Sequence, residues 1–549
     1  MCSLYQPPSD HITRDASVER VNPFCPDEEP LWNVKIDGKV YFDCWRLHIG
    51  DPWNRMTSVL VASKEKMGFA FVIKDSYRNL QRPEDEVRLF KQLHTPGAAP
   101  GWVRVKHGGD VKVEGRTIDT TGETFRRRKT RLVMESSGES LSFCKDVIHF
   151  LKAMYDVLEA HRFGVQHRKI LHRDISQMNI LIHPEENSYA DLFDLEDPDL
   201  RPKFIDEVLN KEEKAKPLAI LFDLDHACSF NIPEVYANQE EFETLALDVD
   251  APNHISFKSD PLKARTGTPI YIARAVSSGA LHYNTWFGPM PVLRGSIRAD
   301  YELCYANDGI RSFKDEGPGK YHGRSFTDDR ISLLRELRSK FECRTVRGRL
   351  FRHLPRHDAE STFWVIVSFL LRAKPVHNAV EDDLKFFQKA WKALMTHEVT
   401  DDDDDDVDSR SSLVAFDVKS WANALHPALV RLGVHNLLYA LAEQVIPEYA
   451  WLDKEPHPFH LHEAMQRILL QFIFDKRNED PILLYTVKVR EMIIQEEAPP
   501  KQKPAQYRTH DGTGGVKRPS QFFQSSSKRQ KTQTYPPLAS IKNPPRSLP

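Results

Sequence analysis

The chain has 549 residues, 40% of them hydrophobic and 28% charged, with a formal net charge of −3. That length allows two to four domains at roughly 150 residues each, and the near-neutral balance argues against a dedicated nucleic-acid binder, so no direct nucleic-acid contact is expected. The cysteines are scattered singly with no C-x-x-C pair, the opening MCSLYQPPSDHITRD has no apolar h-region, and no apolar run approaches ~18 residues; reduced intracellular thiols are expected, and neither a zinc site, a signal peptide nor a membrane span.

Residues 1–30 are rich in Pro, Ser, Asp and Glu and read as a flexible arm. From Trp32 the texture changes. Lys39-Val40-Tyr41-Phe42, Ser58-Val59-Leu60-Val61-Ala62-Ser63 and Gly68-Phe69-Ala70-Phe71-Val72-Ile73-Lys74 read as strands, because branched and aromatic residues suit a pleated surface. Residues 83–93 read as a helix, with Pro83, Glu84 and Asp85 in the first turn and Val87, Leu89 or Phe90, and Leu93 at roughly helical spacing. Strands return at Trp102-Val103-Arg104-Val105 and Leu132-Val133-Met134. The expected unit over 31–135 is a small, mostly antiparallel sheet with one helix laid on it.

After Gly138 the pattern turns helical. Residues 142–165 carry Val147, Leu151, Met154, Leu158 and His161 at three- or four-residue steps. Ile180-Leu181-Ile182 and Leu218-Ala219-Ile220-Leu221-Phe222 read as buried strands, and the polar stretch of about 184–216 between them as an insertion. A mixed stretch of about 277–350 reads as a second insertion. Residues 361–372, STFWVIVSFLLR, form a strongly apolar helix. A third insertion, about 398–412, holds six consecutive aspartates at 401–406, read as a solvated loop. Amphipathic helices are expected near 418–445 and 461–474. The helical part spans 136–495, and the Pro-, Lys-, Gln- and Ser-rich stretch 496–549 reads as a disordered basic tail.

The chemistry concentrates at His172-Arg173-Asp174-Ile175-Ser176-Gln177-Met178-Asn179, a loop pinned by the strand that follows it. Asp174 can accept a proton from a hydroxyl, and Asn179 offers a neutral oxygen to a hard cation. H-R-D with an Asn five residues after the Asp is what phosphoryl transfer needs of a catalytic loop. Lys74 closes a strand and, taken alone, reads as a strand-end surface lysine. Glu86, twelve residues on, is by itself an ordinary helix acid. Together they have the lysine–glutamate arrangement of a phosphate-binding ion pair. Glu84 competes; Glu86 is preferred because apolar residues follow it at +3 and +4. Asp223 ends the strand at Phe222 and reads either as a turn former or as a metal ligand, since Mg²⁺ is usually held by one or two carboxylates plus phosphate oxygens. His172 reads as a packed, hydrogen-bonded core histidine, and Arg173 as a structural cation for the segment after Asp223.

That segment ends in Arg265-Thr266-Gly267-Thr268-Pro269-Ile270-Tyr271-Ile272-Ala273. Here the chain resembles the eukaryotic protein kinases and, within them, the fungal-type protein kinase family found mainly in mushroom-forming fungi. The residues that carry the resemblance run in order over roughly 40–375: Val72-Ile73-Lys74-Asp75-Ser76, Ile170-Leu171-His172-Arg173-Asp174-Ile175-Ser176 with Asn179-Ile180-Leu181-Ile182, Phe222-Asp223-Leu224-Asp225-His226-Ala227, Arg265-Thr266-Gly267-Thr268, and Arg356-His357-Asp358-Ala359-Glu360-Ser361. The resemblance implies a two-lobed α+β kinase fold, ATP and Mg²⁺ as cofactors, and transfer of the γ-phosphoryl group to a protein Ser or Thr hydroxyl. Lys74 would pair with Glu86 and the ATP phosphates. Asp174 would be the base, Asn179 and Asp223 would hold metal, and Met134 would begin the 134–138 hinge behind the adenine. Thr266 and Thr268 would belong to the activation segment and its peptide-docking loop, and Asp358 would tie the apolar helix to the catalytic loop.

Four departures stand beside it. No G-x-G-x-x-G precedes Lys74, where only Gly50 and Trp53 are on offer, so a weaker phosphate lid is implied. Ser176 stands where protein-serine kinases usually carry a lysine. Asp223-Leu224-Asp225 puts an acid in place of glycine. Ala273-Arg274-Ala275 replaces A-P-E, removing the glutamate that anchors the segment. These keep two rival readings open: a pseudokinase scaffold that binds nucleotide without turnover, and a kinase-fold phosphotransferase for small molecules, against which Gly267-Thr268-Pro269 and Tyr271 speak. In the tail, Lys517-Arg518 and Lys528-Arg529-Gln530-Lys531 read either as solvated basic clusters or as a two-part signal for a nuclear import receptor, leaving nucleus or cytoplasm as the expected location.

Overall fold

The computed structural model describes residues 15–22, 29–50, 56–63, 70–80, 82, 84–120, 126–135, 138–183, 201–231, 265–279, 290–306, 352–376, 384–397, 399, 409–447, 458–486 and 489–490. The expected aspartate loop at 401–406, the basic clusters and the tail from 496 lie outside them, as does Trp53.

Alternating apolar residues build the first layer. Strands β1 (Val18–Arg20), β2 (Leu31–Ile36), β3 (Lys39–Ile49), β4 (Ser58–Ala62), β5 (Phe71–Asn79), β6 (Val105–Asp110) and β9 (Arg127–Met134) form a seven-stranded antiparallel sheet in the order β1-β2-β3-β4-β5-β9-β6. A side hairpin joins β7 (Lys112–Val113) to β8 (Arg116–Thr117). One face closes over Val34, Tyr41, Cys44, Leu60, Ala62, Phe71, Ile73 and Val133. The neighbours Leu132 and Met134 point the other way, as strand period demands, into the core shared with helix α1 (Glu86–Leu93).

Several boundaries differ from the sequence expectation, each for a local reason. Helix α1 starts at Glu86, because Asp85 is its N-cap and accepts from Val87 N at 3.0 Å. Strand β5 runs on to Asn79, so Lys74 is mid-strand and buried, not a strand end. Trp102 and Val103 do not open a strand; Val103 N donates to Leu221 O at 2.8 Å and Trp102 forms a parallel bridge to Leu221. The arm expected to be loose is in part docked: β1 pairs with β2, and Asp15 accepts from Arg131 at 2.7 Å and Lys129 at 2.6 Å. Charge complementarity with the sheet back overrides its loop-like composition.

The helical part gathers around α2 (Val147–Arg168), which follows β10 (Glu139–Ser140) and a 3₁₀ turn at Leu141–Phe143. The short strands β11 (Ile170–Leu171), β12 (Ile180–Ile182), β13 (Ala219–Leu221) and β14 (Cys228–Ser229) carry the loops beside it. Between β12 and β13 the end of the expected insertion is core: helix α3 (Ile205–Asn210) buries Ile205 and Val208, beside Phe204 and Ala215. Helix α4 (Arg274–Ser278) ends where the second stretch begins, and α5 (Ser296–Cys304) stands in a described part of it. Helix α6 (Pro355–Arg372) begins six residues before the apolar run, with Pro355 in its first turn. It is buried on every side, which marks a helix at the centre of a core. Helix α7 (Lys385–Met395) and α8 (Ser411–Val414) follow. The single helix expected over 418–445 is three, α9 (Val418–Ala424), α10 (Pro427–Leu432) and α11 (Val434–Val445), because Pro427 starts one and Gly433, at φ +93°, ends it. Helix α12 (His460–Lys476) closes the bundle against α2 and α6. Among the described residues no helix is long and apolar enough to cross a membrane.

Candidate active site

Strand β5, helix α1 and the turn after β13 converge on one ammonium. Lys74 Nζ donates to Glu86 Oε1 at 2.9 Å, Asp223 Oδ1 at 2.9 Å and Asp225 Oδ2 at 3.1 Å. Burial disfavours the charged lysine, but these carboxylates outweigh it and hold its pKa well above the usual value. Burial pushes Glu86 up, Asp225 adds to that, and Lys74 opposes it. The competitor Glu84 instead pairs with Arg88. Asp225, read in the sequence only as a replacement for glycine, is a full member of this group, and Arg82 donates to its backbone oxygen at 3.2 Å.

The catalytic-type loop lies between β11 and β12. Asp174 Oδ1 accepts from both Thr268 N and Thr268 Oγ1 at 2.8 Å, while Asn179 Nδ2 donates to Asp174 O at 2.9 Å and Oδ2 at 3.2 Å. Burial pushes the Asp174 carboxyl up to about 6, with the Thr268 bonds pulling the other way. His172 is buried; its Nε2 meets Phe222 O at 3.0 Å, and its ring lies over Trp102. Arg173 takes φ +66° and Asp223 φ +64°, left-handed conformations that cost non-glycine residues about 1–3 kcal/mol each and mark an over-determined loop. The Arg173 guanidinium reaches the Cys228 thiol on β14 and opposes the burial that raises it. The bound loop is held from below: Asp358 on α6 accepts from His172 N at 3.1 Å and Arg173 N at 3.0 Å.

Two of the sequence departures look different in three dimensions. Ser176 is buried and its Oγ has no hydrogen-bond partner among the described residues, so it does not substitute for a surface cation. The missing A-P-E glutamate is replaced by an ion pair of inverted polarity. Arg274 Nε donates to Glu360 Oε1 at 2.8 Å, Arg274 N donates to the same oxygen at 3.0 Å, and both side chains are buried. Arg410, wholly buried at the end of the third insertion, donates to the carbonyls of Ile270 at 3.0 Å and Ile272 at 2.7 Å. Gly267, at φ +136°, lets this segment pass Arg173 O, which an added Cβ would meet at 3.3 Å. Glu360 sits in a motif already singled out, so its role had a signal; Arg410 had none.

The stretches expected as lid and hinge are sparser. Gly50 N donates to Thr57 O at 2.7 Å, closing the β3–β4 turn. Met134 is buried at the end of β9, and Gly138 passes the β12 backbone so closely that a Cβ would lie 2.8 Å from Ile182 O. Thr266 Oγ1 is buried without a partner among the described residues.

The donor set fits a hard divalent cation. Glu86, Asp223 and Asp225 offer carboxylate oxygens within 4.8 Å of one another, and one ammonium does not balance three carboxylates. Asn179 spends its amide nitrogen on Asp174, which leaves its oxygen for such an ion.

Residues 123–370 match the sequence model of a family described as fungal protein kinase. No curated protein matches the chain. The matched stretch holds His172-Arg173-Asp174, Asn179, Asp223, Thr268 and Asp358; Lys74 and Glu86 precede it. A curled antiparallel sheet over a helical part, with an H-R-D loop between them, is the kinase-like arrangement, and the match makes residues 123–370 similar to the fungal protein kinases and supports a fungal-type protein kinase family.

Proposed function

We propose that this protein transfers the γ-phosphoryl group of ATP to serine or threonine hydroxyls of protein substrates, with Mg²⁺. The observation that carries the reading is the meeting of Lys74, Glu86 and Asp223 from three separate elements, beside a loop in which Asp174 and Asn179 are fixed by hydrogen bonds. Lys74, oriented by Glu86, binds the α- and β-phosphates. Asp223 and Asn179 hold Mg²⁺, which when bound neutralises charge on the transferring group. Asp174 takes the proton of the acceptor hydroxyl as its oxygen bonds to the γ-phosphorus and the bond to the ADP oxygen breaks. Met134 lies at the adenine edge. A peptide acceptor is favoured over a small metabolite because the Thr268 loop touches Asp174 directly and is anchored by Arg274 and Arg410.

Purified protein with labelled ATP, Mg²⁺ and a peptide library is expected to label peptide, and Asp174→Asn to lower the rate by about 10²–10⁴-fold. Nucleotide binding with no transfer would leave a scaffold; label only on small hydroxylated metabolites would leave a metabolite phosphotransferase. We also propose that the basic clusters in 517–531 bind a nuclear import receptor. A fluorescent fusion should shift toward the cytoplasm after Lys528→Ala, Arg529→Ala and Lys531→Ala, and an unchanged distribution rejects that address.

A further inference from the structure

Asp358 does more than hold the catalytic loop, because its two oxygens also receive side chains. His161 Nε2, on α2, meets Asp358 Oδ2 at 2.8 Å, and His353 Nε2 meets Oδ1 at 3.1 Å. Burial favours a protonated Asp358, but His161 and His353 hold it well below the ordinary carboxylate range. It is therefore an acceptor, and His161 must donate to it. The other ring nitrogen of His161, Nδ1, meets His462 Nε2 at 2.8 Å. His462 is fully buried on α12, and its remaining nitrogen, Nδ1, has no partner among the described residues. A buried lone pair is cheaper to leave unmatched than a buried N–H. So the proton of His462 belongs on Nε2, donating to His161, and burial keeps that ring neutral. The result is a directed chain of donors: His462 to His161, His161 to Asp358, with Asp358 taking the backbone N–H groups of His172 and Arg173, one residue before Asp174.

We propose that His462 is a positioning residue for the catalytic loop, acting through His161 and Asp358. It lies beyond the 123–370 stretch that matches the kinase family, so α12 is part of the phosphotransfer apparatus and not merely a helix stacked on it. Removing the donor leaves His161 Nδ1 buried and unpaired. That ring is then free to turn, and Asp358 loses one of the bonds that fix its carboxylate plane. A small displacement of the two amides moves Asp174, and a misplacement of ~1 Å at a reacting group costs up to about a hundredfold in rate.

The test separates positioning from packing. His462→Phe keeps ring volume without a donor, and His462→Gln restores an amide that reaches the same place. Gln466→Leu is the packing control: Gln466, one turn further along α12, joins it to α2 through Glu159 at 3.0 Å. Two readouts are used on the full chain: hydrogen exchange of the backbone amides of residues 170–175, and steady-state transfer from ATP. His462→Phe is expected to speed exchange at His172 and Arg173 and to lower kcat about tenfold, with KM for ATP changed by less than about twofold. His462→Gln should recover both. Gln466→Leu should lower the thermal midpoint and leave both unchanged. Wild-type exchange at these amides in His462→Phe overturns the proposal, as does equal exchange in Gln466→Leu. A phenylalanine variant that fails to fold while the glutamine variant folds makes the bond structural and also overturns it. The kinetic half rests on the proposed function; a wild-type protein that transfers nothing defeats that function, while the exchange data still decide His462.

Discussion

At Lys74 one ammonium faces three carboxyl groups in a buried space. Asp223 and Asp225 therefore compete with nucleotide phosphates for the same ammonium. At water-like screening, a unit charge ~4 Å away is worth at least ~1 kcal/mol. Asp225→Asn should thus tighten metal-free ATP binding about fivefold or more, read by nucleotide titration without Mg²⁺; unchanged affinity would show that Asp225 does not compete. Asp174 sets a second expectation. Its carboxyl is raised to about 6, chiefly by burial, and only the ionised form is a base. kcat/KM should rise with pH through about 6 and level off above it. Thr268→Val removes a hydrogen bond that favours ionisation, so the acidic limb should move to higher pH. The stability sign is opposite. The folded carboxyl holds its proton more tightly than an ordinary one at 3.8, so this contribution is full below that value and is lost as pH rises through about 6. Spacing made the approach of Lys74 to Glu86 legible, since a strand lysine and a helix acid twelve apart can face each other across a turn. Nothing local revealed that Asp225 would join them, because its partner lies 151 residues away.

Among the elements, strands and helices were legible wherever period and punctuation agreed, as at β4 and α2. Misreadings came where a single polar side chain set the boundary, as Asp85 does for α1, or where Pro427 and Gly433 cut one apolar stripe into three helices. The activation-type segment shows a deeper limit. Its anchor was sought as a glutamate, and the structure supplies the same bond with the charges exchanged, Arg274 on the segment and Glu360 on α6. Polarity is invisible to a motif, because attraction is symmetric in sign. The pair is buried, so breaking it costs more than a surface salt bridge. Glu360→Gln leaves the Arg274 guanidinium with its bond to Val445 O but no counter-charge. Equilibrium denaturation should register a loss of about 3–5 kcal/mol. A loss under about 1 kcal/mol, the size of an exposed pair, would mean that the segment is anchored elsewhere, with Arg410 as the next candidate.

On the scale of the whole molecule, the matched stretch 123–370 is not a folding unit. It contains β9 and most of α6 but lacks β1 to β8 and α1, and so lacks six of the seven strands of the sheet, all but β9. It also lacks α7 to α12, and α12 alone buries Leu461, Met465, Leu469, Leu470 and Ile473 in the same core as α2 and α6. At about 1.5–3 kcal/mol for each buried side chain, those five residues are worth roughly 7–15 kcal/mol, as much as the net stability of a typical domain. The apolar pattern near 461–474 foretold a helix but not its neighbours, because an amphipathic stripe says that a face is covered without saying by what. The fragment 123–370 should therefore show helical far-UV dichroism without cooperative unfolding or near-UV structure, whereas 15–490 should unfold in a single sigmoidal transition. A cooperative, native-like 123–370 would mean that α12 and the N-terminal sheet are accessories; it would also separate His462 from the catalytic loop, since a loop that orders itself has no need of the bond from α12.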